Sequence, residues 1–252
     1  MKKILPFILL FIFMFKYENA TSQSGKFLNI TYVKKLNSKL DITNNKSYKN
    51  QVNKLNSLLV KYTKEINYQL IIENYHSIFS QNESKISKSD YNFKEFAGTI
   101  GGTKGSFYVN KKTKDYLNQY SFLGDNYLIK TEIKKWKITN EFKFISDFKC
   151  YKAISEDIVS NHKGVFKSKV IAWFCPELPS FFGPAGYFGL PGLILELDNG
   201  KMSLLATKIH FSKVIKNRIK PLKKGIKLTE KEFDKLMEKK ARVLFPKSFK
   251  NK

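Results

Sequence analysis

From Cys175 to Glu196 the chain reads Cys-Pro-Glu-Leu-Pro-Ser-Phe-Phe-Gly-Pro-Ala-Gly-Tyr-Phe-Gly-Leu-Pro-Gly-Leu-Ile-Leu-Glu. Four of its seven prolines and four of its thirteen glycines fall between Pro176 and Gly192. Proline fixes φ and removes a backbone donor, and glycine supplies conformations that side chains forbid. Neither helix nor strand survives that density, and apolar runs flank it on both sides. The stretch therefore reads as a rigid, irregular loop between two strands. Its aromatics, Phe181, Phe182, Tyr187 and Phe188, must lie against something. They either plug a sheet as ordinary core or line a groove for a hydrophobic ligand or a partner chain.

The run that follows is a hairpin. Asn199-Gly200 is the preferred pair for a two-residue type I′ turn, in which both residues need positive φ. That turn sets Asp198 opposite Lys201, Leu197 opposite Met202 and Leu195 opposite Leu204. Leu193, Leu195, Leu197, Met202, Leu204 and Ala206 then share one apolar face. Ile194, Glu196, Ser203, Leu205 and Ile209 share the other. His210 near the end reads as a rim residue.

The rest of the chain supports a sheet. Residues 28–33 alternate, as do residues 66–72, the latter with a continuation toward Phe79. Val52, Leu55, Leu58, Leu59 and Tyr62 recur at helical spacing between them. Residues 81–106, rich in Ser, Lys and Gly, read as a long loop or a hairpin tip. Strands follow at 107–110, 116–123, 127–133, 136–145, 147–154 and 165–174, with a turn at Gly124-Asp125-Asn126. Thr229 and Glu232 form a capping box, and Leu228 and Phe233 a hydrophobic staple, so a helix covers about 229–241. Residues 242–252 trail off from it. The fold expected is mainly β: a single curved antiparallel sheet or half-open barrel with one or two short helices.

The N-terminus reads as an export signal. Lys2 and Lys3 precede an apolar run over residues 4–15, too short to span a bilayer. Ala20 and Ser22 suit cleavage after Ser22, leaving residues 23–252 as one β-rich domain with a basic C-terminal tail. No Cys follows the apolar run, which disfavours a lipoprotein. No transmembrane segment is expected in the mature chain, and a periplasmic or secreted location follows.

The net charge is +25, from 46 basic and 21 acidic residues. Only Arg218 and Arg242 are arginine, whereas phosphate recognition favours arginine forks, so nucleic acid is not the expected partner. From Phe211 to Lys252 there are fifteen basic and four acidic residues, a segment suited to electrostatic docking on an anionic surface.

Chemistry is thinly marked. No phosphate loop, nucleophile elbow or zinc motif is present, and no metal or cofactor is expected. Glu196, on a half-apolar face, and Glu177, beside the loop, are the candidates for acid–base work. The alternative is that Glu196 only pairs with a lysine and Asp198 only flanks its turn. Cys150 and Cys175 are the only thiols, placed in neighbouring strand ends of an exported chain. A disulfide between them is expected, worth roughly 3 kcal/mol in the loop-entropy model. Two buried free thiols are the alternative.

At Gly189, Leu190, Pro191, Gly192, Leu193 and Ile194 the chain resembles the GLPGLI family of Bacteroidota. Residues 136–140, 150–153, 172–174, Gly183-Pro184 and the signal peptide sit where the family's pattern would put them. Phe182-Gly183-Pro184-Ala185 is bulkier than the family's commoner lead-in. The resemblance implies an exported envelope protein of unknown function, a companion of outer-membrane receptor systems. The expected role is a non-enzymatic periplasmic binding or accessory protein working through residues 176–193. A hydrophobic ligand, or an outer-membrane or periplasmic protein, is the partner. A carboxylate-dependent enzyme and a docking factor acting through the basic segment are the alternatives.

Overall fold

The computed structural model describes residues 27–37, 49–82, 96–161, 164–178, 181–212, 219–244 and 246. The signal segment, Arg218 and the last six residues lie outside these. The strands are β1 (Phe27–Leu36), β2 (Asn67–Glu73), β3 (His76–Gln81), β4 (Ser106–Asn110), β5 (Asp115–Phe122) and β6 (Asp125–Lys130). They continue with β7 (Lys137–Ile145), β8 (Phe148–Asn161), β9 (Gly164–Cys175), β10 (Leu193–Asp198), β11 (Met202–Ser212) and β12 (Ile226–Thr229). The helices are α1 (Lys49–Glu65), a turn α2 over 96–99, and α3 (Glu230–Leu244).

All twelve strands form one sheet in the order β12-β6-β5-β4-β3-β2-β1-β11-β10-β9-β8-β7. It is curved but not closed into a barrel. The helix α3 touches both β6 and β8, each second from an end of the sheet. Curvature thus brings the two ends toward one helix.

Alternation decides the core. Ile30, Leu70, Phe79 and Phe107 stand in one cross-strand row, and Tyr32 faces Tyr68 in the next but one. All six side chains are buried, and the Tyr68 and Phe79 rings stack at 5.5 Å. Burying each such side chain is worth about 1.5–3 kcal/mol, and paired rows gather that gain on one face. The helix α1 adds Leu59 and Tyr62 to the same core.

Four local expectations change. Residues 66–79 are a hairpin rather than one strand: Asn74 takes a φ of 54° and Glu73 pairs with His76. An Asn side chain tolerates that left-handed conformation, which lets the chain reverse there. The basic segment carries a strand ahead of its expected helix, because Ile226–Thr229 pairs with β6 in parallel and leads into α3. Its capping box forms, with the Thr229 amide donating to Glu232 at 2.8 Å and the Glu232 amide to Thr229 Oγ1 at 3.3 Å.

The β10–β11 register also shifts. Leu197 faces Leu204 and Asp198 faces Ser203, a slip of two residues. Only Gly200 takes positive φ in this turn. The cause is Asn199, which is buried and accepts from the Lys201 and Met202 amides at 3.2 and 3.1 Å. A slip of two keeps each residue on its expected face, so Leu195, Leu197, Met202, Leu204 and Ala206 are all buried. Finally, Cys150 and Cys175 are free thiols and fully buried, so the expected disulfide is not made. The β8–β9 pairing does bring them to neighbouring strand ends, beside the Tyr151–Phe174 pair. Burial pushes the Cys150 thiol up to about 12, which keeps it protonated and unreactive.

Candidate functional site

The loop after β9 is a packed plug. The Phe181 amide donates to Leu190 O and the Gly189 amide to Phe181 O, both at 2.9 Å. The Ile194 amide reaches Phe182 O at 3.2 Å. Phe182, Tyr187, Phe188, Leu190, Leu193 and Ile194 are buried, while Phe181 is half-buried and Pro191 exposed. Tyr116 of β5 meets the rings of Phe181 and Phe188 at 5.9 and 4.7 Å. Tyr32 Oη donates to Ile194 O at 2.5 Å, and Trp136 Nε1 to Phe188 O at 2.9 Å. Glycine is forced at Gly192, where a Cβ would lie 2.3 Å from Cys175 O. It is forced again at Gly189, whose φ is +99° and whose Cβ would meet Ile133 at 2.5 Å. The motif's spacing is therefore explained by packing and close approach.

The plug leaves a cleft of about 510 Å³ beside Tyr187. Its floor is a cross-strand row on β4, β5 and β6: Phe107, Asn118 and Ile129. Ile158 and Val159 of β8 and Phe233 of α3 supply further apolar wall. The turn at 99–102 and the tip of β10–β11 close one side. The volume lies in the range of small-molecule sites.

A polar cluster lines one side of it. Tyr187 Oη donates a hydrogen bond to Asp157 Oδ2. Lys134 Nζ pairs with Asp157 Oδ1 at 3.0 Å and lies 5.8 Å from the Tyr187 ring centroid. Asn199 Nδ2 donates to Gly101 O at 3.0 Å and to Tyr187 Oη at 3.4 Å. Glu230 and Asp234, one helical turn apart on α3, line the same space. Burial raises the pKa of Glu230, aided by Glu132, Asp234 and Asp157 and opposed by Lys134. Burial raises Asp234 as well, and burial with the neighbouring Asp157 charge raises Tyr187, whose phenol stays protonated. Asn118 Oδ1 is shielded from solvent and has no hydrogen-bond partner among the described residues. The cleft therefore offers acceptors along an apolar wall. Among the described residues no group of three His, Cys, Asp or Glu is placed to hold a metal ion.

The residues read from the sequence are distributed unevenly. Of the four loop aromatics, Tyr187 alone lines the cleft. Glu196 is outside it, bound to Lys143 at 2.6 Å with Lys143 Nζ 4.4 Å from the Trp173 ring centroid. Glu177 is exposed on the turn after β9. Sequence reasoning missed Lys134, Asp157, Asn118, Glu230 and Asp234. Only the last two left a trace: acids four residues apart just after a capping box share one face of a helix. Asp157 lies on a strand in ordinary alternation, with nothing local to mark it.

A family model described as "Protein of unknown function (Porph_ging)" matches residues 163–196, from the start of β9 through the plug into β10. No curated protein matches the chain. Among solved structures it is similar to PNGF-II in a C2 crystal form, at 16% identity and a TM-score of 0.48. It is similar also to PNGF-II in a P21 form, at 15% identity and 0.48. Each similarity covers 86% of this chain and 34% of the other, so the chain spans about a third of that protein's length. Over β9, the plug and β10, then, the chain is similar to a Bacteroidota-associated family of unknown function, in partial agreement with the GLPGLI resemblance.

Proposed function

We propose that this is an exported cell-envelope protein that binds a small ligand in the cleft beside Tyr187. The observation that carries the reading is the Lys134–Asp157–Tyr187–Asn199 cluster at the foot of an apolar-walled space of about 510 Å³. A ligand with hydroxyl or ammonium donors on one side and an apolar edge on the other suits it. Its donors would meet Asp157 and Glu230, which line the space. The export reading rests on the N-terminal segment: a basic start, a short apolar run and small residues before Gln23. No helix among the described residues is long and apolar enough to cross a membrane. Acid–base catalysis by Glu196 or Glu177 has less support, since a lysine ties up the first and the second stands exposed on a turn.

The test is native mass spectrometry of the protein purified gently from its own host, beside Asp157→Asn. The reading expects a small non-covalent adduct on the native chain. That adduct disappears in the variant while the fold persists. A bare monomer, or an adduct indifferent to Asp157, overturns it.

A further inference from the structure

The strand β7 ends the sheet, and among the described residues nothing pairs with its outer side. It is nine residues long, whereas the opposite end, β12, has four and runs straight into α3. A free edge presents a row of unpaired amides and carbonyls, a template for another strand. Beside it stands an uncovered apolar strip. Ile138, Phe142 and Phe144 are 49%, 54% and 65% exposed. Register places all three on one face, opposite Ala153, Tyr151 and Lys149, because a bulge between Ile138 and Phe142 preserves the facing. The Phe142 ring lies 6.5 Å from both Phe144 and Tyr151. Scattered apolar residues on a surface need no explanation, but a contiguous row along an open edge does.

Charge narrows the occupant. Lys149 Nζ lies 4.4 Å from the Phe142 ring centroid and, with Lys137, has no carboxylate partner among the described residues. Lys143 and Lys152, by contrast, are bound to Glu196 and Glu141. Edge lysines oppose pairing with another copy of a chain whose net charge is +25. A lipid surface would leave the edge amides unpaired. An acidic strand satisfies both demands. We propose that β7 is a docking edge that takes an extended, acidic segment of a partner protein as a thirteenth strand. Alternate apolar side chains of that segment cover Ile138, Phe142 and Phe144, and its intervening carboxylates meet Lys137 on the opposite face. The proposal is independent of the cleft.

The test uses the full chain and a capped ten-residue peptide alternating Glu and Val, with a Lys–Val peptide as control. Amide hydrogen exchange read by mass spectrometry should slow at least tenfold over 137–145 with the acidic peptide and remain unchanged with the basic one. Phe142→Glu with Phe144→Glu should abolish the protection at an unchanged melting temperature, since both rings are more than half exposed. No protection at β7, or equal protection by the basic peptide, overturns the proposal. So does protection that survives the double substitution. Slowing at β7 that rises with protein concentration alone would assign the edge to a second copy, and slowing on phosphatidylglycerol vesicles would assign it to a membrane; either result overturns it too.

Discussion

Lys34 is the most informative residue to perturb. It sits on β1, is 3% exposed, and has no acidic partner among the described residues. Its ammonium donates to Ala97 O at 2.7 Å, Ile100 O at 2.5 Å and Thr103 Oγ1 at 2.8 Å. Tyr68 Oη lies 3.0 Å from the same Thr103 hydroxyl. These bonds pin residues 97–103, which form one wall of the cleft. Burial pulls the Lys34 pKa from its ordinary 10.5 down to about 7. The folded chain therefore releases this proton near pH 7, while the unfolded chain holds it until about 10.5. Between those values the unfolded state binds more protons, so stability rises with pH, by up to about 1.4 kcal/mol per unit. From pH 7 to 9 the gain is about 2 kcal/mol, an upper bound because the oxygens around the ammonium favour its charged form. Lys34→Met fills nearly the same volume and titrates nowhere. Urea unfolding of both chains at pH 7, 8 and 9 is the assay. Native stability should climb relative to the variant by about 1–2 kcal/mol across that range. Parallel pH profiles, or a native chain that loses ground as pH rises, would refute the reasoning.

Two further outcomes follow from the plug and the thiols. Gly192→Ala sets a methyl 2.3 Å from Cys175 O, a backbone atom that cannot swing away. It should cost about 3 kcal/mol or more of unfolding free energy, and a melting temperature within a degree of the native one would contradict the geometry. Cys150 and Cys175 are both fully buried, and burial raises both thiol pKa values. A thiol-specific chromogenic reagent at pH 8 should label neither in the native chain and both after unfolding in guanidinium. Fast native labelling would break the account, as would a mass two hydrogens light.

Local signals in the sequence were faithful wherever a few neighbouring residues settle the outcome. The capping box at Thr229 and Glu232 forms with the expected hydrogen bonds, and the Pro- and Gly-dense stretch is the irregular plug between β9 and β10. The apolar face of the β10–β11 hairpin is also the expected one, although the turn is not the type I′ pair. There a buried contact outweighs a local preference. Asn199 turns inward to reach Gly101 and Tyr187, and so it does not adopt the positive φ of a type I′ pair. The aromatic loop illustrates the same limit from the other side. Its composition demanded a counter-surface, but only the fold shows Phe182 and Phe188 buried beneath it and Tyr187 at the margin of a cleft.

What the sequence determined alone is the mainly-β class, most of the strands, the plug and the capped helix, because period-two alternation, fixed φ values and capping act within a few residues. The tertiary structure decided the order of twelve strands, the parallel pairing of β12 with β6, and the cleft itself. It also decided which charges are buried. Lys34 is one lysine among many until residues 97–103 fold over it, and Tyr32 holds the plug through a hydrogen bond spanning 162 positions. Such contacts depend on where the curved sheet brings distant segments together, and pairing over that range leaves no periodic trace along the chain.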